Sequence, residues 1–85
     1  MEKDLKIIKK ILEDLHYTET YSNMLLSHIK NEFENSNLTQ ITPHFIYSSL
    51  AFEEGRQKAK MISEYFEEMK EKGTYRNIVN KLIDK

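Results

Sequence analysis

Three places in the sequence carry residue types at spacings that chemistry could use. In "EDLH", Glu13 stands three residues before His16, the separation of the carboxylate–histidine pairs in di-iron helical bundles. Such a site needs a second Glu-x-x-His and two more glutamates on facing helices, and the chain holds no second copy of the motif. His28 and Glu32 stand four apart, on one face of a helix, which suits half a metal site or a hydrogen-bonded pair equally. His44 follows a proline and has no obvious co-ligand. Without a converging set, neither a metal nor any other cofactor is expected.

The third place is the acidic run Glu64, Glu67, Glu68 and Glu71. Paired carboxylates can act as general acid and base when two converge in a cleft. At helical spacing a solvated acidic face accounts for them. Glu64/Glu68 and Glu67/Glu71 are like-charge pairs one turn apart, mildly unfavourable, near a helix end where the backbone dipole prefers cations. The chain has no cysteine, so disulfides, thiolate metal sites and cysteine nucleophiles are excluded. It has no glycine-rich phosphate loop and no nucleophile motif. The sequence therefore reads as non-enzymatic.

Charge gives nucleic acid little encouragement. The net charge is −1, so no overall field draws the chain to phosphate backbones or anionic lipid. Lys3, Lys6 and Lys10 form a basic strip, and Arg56, Lys58 and Lys60 a shorter run. The strip is interleaved with acids at salt-bridge spacing, Glu2 with Lys6 and Lys9 with Glu13. A helix-turn-helix needs a short turn and base-reading side chains early in its second helix. Here the intervening loop is long, and "TPHFIYSSLAF" carries neither Arg nor Lys before Arg56.

The elements that must position these residues are all helical. Eighty-five residues make one domain with one modest core. Leu5, Ile8, Leu12 and Leu15, widened by Ile7 and Ile11, predict a helix over about 3–16. "YTET" breaks that phase, and Thr18 is a good N-cap for a second helix over about 19–34, whose apolar face is Tyr21, Met24, Leu25, Ile29 and Phe33. Thr42 and Pro43 then form a start signal. Phe45, Phe52, Ala59 and Phe66 recur every seven residues, with Ile62 and Met69 between them, which predicts one long helix over about 43–72, about 43 Å in length, ended by Gly73. Tyr75, Ile78, Val79 and Leu82 predict a last short helix over about 75–84.

Gly55 lies inside the long helix. Because the seven-residue repeat runs through it in phase, it is read as a packing site: with Ser48, Ala51 and Ala59 it forms a face of small residues that another helix can approach closely. The same helix is apolar on a second side, through Ile46, Tyr47, Leu50, Met61 and Tyr65. A two-sided helix is either sandwiched within its own bundle or applied to a partner.

The expectation is an all-α, compact four-helix domain over 1–85, organised by a long central third helix. Its function is expected to be non-enzymatic protein binding, as a small adaptor, inhibitor or regulator, with a lysine-, isoleucine- and asparagine-rich composition that suits a phage or mobile element. The expected contact is Tyr47, Leu50, Met61 and Tyr65, with Glu64 and Glu68 steering encounter. The first alternative is DNA or RNA binding through Lys3, Lys6, Lys10 and Arg56. The second is a self-associating structural protein, a homodimer on the same apolar edge. The charged N-terminus has no signal-peptide core and no apolar run is long enough to span a bilayer, so a cytoplasmic protein without membrane contact is expected.

Overall fold

The computed structural model describes residues 2–72, which form four helices: α1 (Glu2–Asp14), α2 (Glu19–Glu34), α3 (Pro43–Glu54) and α4 (Arg56–Lys72). Gly73 and the helix expected over 75–84 lie outside the described residues. The all-α, four-helix class holds. The long third helix does not: it is two helices, α3 and α4, joined by Gly55 alone.

Helices α1, α2 and α3 start where local chemistry says they should. The Thr18 side chain accepts the Tyr21 N–H at 3.1 Å, and the Thr42 side chain accepts the Phe45 N–H at 3.1 Å, with Pro43 in the first turn of α3. Both caps satisfy donors that the first helical turn leaves without partners. Glu2 and Asp4 open α1 and Glu19 opens α2, acids at the positive end of the helix dipole. Lys70 and Lys72 close α4 with the complementary charge. Between α2 and α3, Ser36 donates its hydroxyl to the Phe33 carbonyl at 2.7 Å and accepts the Leu38 N–H at 3.2 Å.

The helices pack as a ring, α1 on α2, α2 on α3, α3 on α4, and α4 back on α1. Ile8, Ile11, Leu12, Leu25, Ile29, Ile46, Leu50, Ala59, Ile62, Tyr65 and Phe66 are completely buried, and Ile41 plugs the loop before α3. In α4 the buried set is Ala59, Ile62, Ser63, Tyr65 and Phe66, the i, i+3, i+4, i+7 stripe with one addition. In α3 it is Ile46, Ser49 and Leu50. Phe45 is only half-buried, edge-on to Phe33 at 5.9 Å. Phe52 is 96% exposed.

Gly55 is therefore a break and not a packing device. Its φ is +87° and its ψ 160°, a region that residues with a side chain scarcely enter. A Cβ added there would meet nothing within 4 Å, so no helix approaches closely. The seven-residue row loses one member for the same reason: once α4 folds back, Ala59 and Phe66 stay in the core with Ile62, Phe45 packs at its edge, and Phe52 is left outside. Met24, expected inside, is likewise 48% exposed, because Ser22, Leu25 and Ile29 form the buried side of α2.

Candidate functional site

At one end of the ring the two corners meet. The α1–α2 corner carries Tyr17, and Tyr21 lies in the first turn of α2. The rings of these two tyrosines are 5.6 Å apart in an edge-on arrangement. Both hydroxyls donate to the carboxylate of Glu54, the last residue of α3: Tyr17 to Oε2 at 2.6 Å and Tyr21 to Oε1. Lys58, one turn into α4, places its ammonium 5.3 Å from the Tyr17 ring centre, a cation–π contact. One carboxylate thus ties the α1–α2 corner to the α3–α4 corner. Burial and then the Glu54 hydrogen bond push the Tyr17 phenol well above its usual range. For Tyr21 the Glu54 hydrogen bond comes first and burial second, raising it to about 12. Neither phenol ionises near neutral pH, so both stay donors to Glu54 and the cluster acts as a clasp.

At the opposite end Asp4, nearly buried, pairs with Lys70 at 3.0 Å, fastening the start of α1 to the end of α4. Between the ends, His28 of α2 lies 3.0 Å from the Ser49 carbonyl of α3 through Nε2. A carbonyl only accepts, so Nε2 carries the proton. Glu32 lies 4.0 Å from the same nitrogen. His28 is therefore committed to strapping α2 to α3. Beside it a shallow groove of about 220 Å³ is lined by His28, Glu32, Phe45, Ser48, Ser49 and Phe52, and Phe52 is its open wall.

The residues expected to form a partner surface are dispersed. Leu50 and Tyr65 are completely buried and present nothing to a partner, because α4 folds back over α3 and α1 closes the ring on α4. The raised pKa of the Tyr65 phenol, about 12, comes from that burial first and the Glu64 charge second. Tyr47 and Met61 are half-buried against the core, Glu64 is exposed and Glu68 half-buried.

The basic residues are dispersed too. Lys3, Lys6 and Lys10 are exposed, and Lys10 lies 4.0 Å from Asp14. Lys6 instead joins Lys9 and Lys30 around a groove of about 320 Å³ between α1 and α2, with Leu5 and Leu26 in its wall. Arg56 opens α4 at the clasp end, while Lys3 lies at the Asp4–Lys70 end.

His16, exposed, takes the left-handed conformation that ends α1, and the described residues hold no group of three His, Asp or Glu that could bind a metal. No described helix is long and apolar enough to cross a membrane.

Sequence reasoning missed the clasp, the Asp4–Lys70 pair and the exposure of Phe52. Only the four-residue spacing of Tyr17 and Tyr21 signals that two phenols share a side. Comparison with protein-family models, with curated proteins and with solved structures finds no match to this chain.

Proposed function

We propose that the chain is a small non-enzymatic protein-binding module, an adaptor, inhibitor or regulator, whose contact face is the outer side of α2 and α3 around Phe52. The carrying observation is the exposure of Phe52, 96%, at the lip of the groove lined by His28, Glu32, Phe45, Ser48 and Ser49. An aromatic ring held out on a helix is the residue type that dominates binding energy in protein interfaces, and burying one contributes about 2–3 kcal/mol. The polar groups around it suit a rim. The exposed carboxylates Glu64, Glu67 and Glu71 on α4 favour encounter with a basic partner.

The test is capture by tagged protein from nuclease-treated lysate of the source cells, with Phe52→Asp in parallel. Phe52 makes no core contact, so the substitution should leave stability within about 0.5 kcal/mol of wild type while the captured protein is lost. Equal capture by both chains would remove Phe52 from the contact face.

One observation favours nucleic acid as a second reading: α1 and α2 bring Lys6, Lys9 and Lys30 around one groove. On that reading, enrichment disappears with nuclease, and Lys6→Glu with Lys30→Glu abolishes a steeply salt-dependent affinity for duplex.

A further inference from the structure

The corner at Gly55 is one residue away from a continuous helix. Gly55 donates its N–H to the Ala51 carbonyl at 3.2 Å, and Ala59 donates to the Gly55 carbonyl at 3.0 Å. These are the i to i−4 bonds that an unbroken helix makes at the same positions. Moving the φ and ψ of Gly55 into the helical basin would let Arg56, Gln57 and Lys58 donate to the carbonyls of Phe52, Glu53 and Glu54. It would also return Phe52 to the row of Phe45, Ala59 and Phe66, the pattern that runs through the glycine in the sequence. The hairpin leaves that one member of the row 96% exposed.

A straightened chain cannot cover its own core, since α4 then points away from Ile46, Leu50 and α1. A second copy can. We infer that two copies of this chain exchange α4 through Gly55. Each runs as one helix from Pro43 to Lys72, and α4 of each copy takes the place of α4 in the other. The contacts of α4 with α1 and α3 beyond its first turn are remade between copies, which is why exchange of this kind demands no new complementary surface. The Asp4–Lys70 pair, 3.0 Å within one chain, becomes a pair between chains. The clasp of Tyr17 and Tyr21 on Glu54 stays within each copy, because α1, α2 and α3 do not part. Lys58 follows Glu54 by one turn in the straight helix, the favourable order for an ion pair. Phe52 lies within one turn of the point where the two straightened helices cross. The exchange stands independently of any partner for the Phe52 face.

The experiment uses two full-length chains, Asp4→Lys and Lys70→Asp, which place like charges at the α1–α4 contact and should each melt below wild type. Unfolded together and refolded at high concentration, they should form a dimer containing one of each, by native mass spectrometry, with a Tm recovered toward wild type. Within one chain no such rescue exists. Gly55→Ala, strained at the positive φ of the hairpin, should raise the dimer fraction about tenfold at equal concentration. Spin labels at His44→Cys and Glu71→Cys, diluted with unlabelled chain, should move to about 40 Å apart within a chain. No recovery on mixing overturns the inference, whether or not Gly55→Ala folds. A dimer indifferent to the charge pairing also overturns it, because it would join copies by an outer face instead.

Discussion

The chain turns twice at the same end of the ring, and each turn passes through a residue with positive φ, His16 at +70° and Gly55 at +87°. The two corners are otherwise unlike. At the first, the His16 N–H reaches the Glu13 carbonyl at 2.9 Å and the Tyr17 N–H reaches the Leu12 carbonyl at 3.1 Å. These are the paired bonds that close a helix through a left-handed residue, most often glycine. Thr18 then caps α2. The first corner is fully built from local bonds. At the second, one residue separates two helices, no side chain caps α4 among the described residues, and the flanking bonds are those of an uninterrupted helix. What holds it is tertiary: the burial of Ile62 and Phe66 against α1 and α3. A locally encoded turn survives in any context, whereas a turn held by packing exists only while the packing does.

The sharpest way to break this contrast is at the second corner. Gly55→Ala should destabilise the monomer by about 1–3 kcal/mol through backbone strain alone, since a Cβ there touches nothing. Urea unfolding at low concentration reads it, and an unchanged midpoint would mean the corner tolerates an ordinary residue.

Next comes the tie between the corners. Glu54→Ala removes the acceptor of both phenols and should cost about 1–2 kcal/mol. The clasp also has a pH signature. Tyr17 and Tyr21 hold their protons more tightly folded than unfolded, where a phenol titrates at 10.0. Their contribution is thus complete below pH 10.0 and declines as pH rises through about 12, the folded value for Tyr21. Tyr65 adds a loss over the same interval. Urea midpoints across that interval should fall for wild type and fall less for Glu54→Ala; equal slopes would detach the carboxylate from the phenols.

The smallest effect belongs to the first corner and has the opposite sign. His16→Gly relieves a left-handed residue with a side chain and should stabilise by about 1 kcal/mol. Destabilisation would show that the imidazole makes a contact that matters.

Local signals made much of the fold legible. The amphipathic stripe of α1, the threonine caps at Thr18 and Thr42, Pro43 at the start of α3 and the all-α class all follow from interactions within a few residues. The interior of the chain from 43 to 72 was not legible, because a seven-residue apolar row fits a straight helix and a folded-back pair equally well in local terms. The candidate site was hidden for a related reason. Phe52 looks like a core residue by type and spacing, and only the direction in which α4 returns leaves it outside. Tyr65 and Leu50 are the converse, set inside by the ring closing over them.

The sequence by itself determined where α1, α2 and α3 begin, which residues are apolar, and that Gly55 is the only glycine in the helix expected from Pro43 to Lys72. These are properties of single residues and of neighbours three or four apart. Tertiary structure decided that Gly55 does leave it, that Glu54 receives both Tyr17 and Tyr21, and that Asp4 meets Lys70 across sixty-six residues of chain. Those outcomes depend on how four helices share one buried interior. No residue can express that preference until the others are in place.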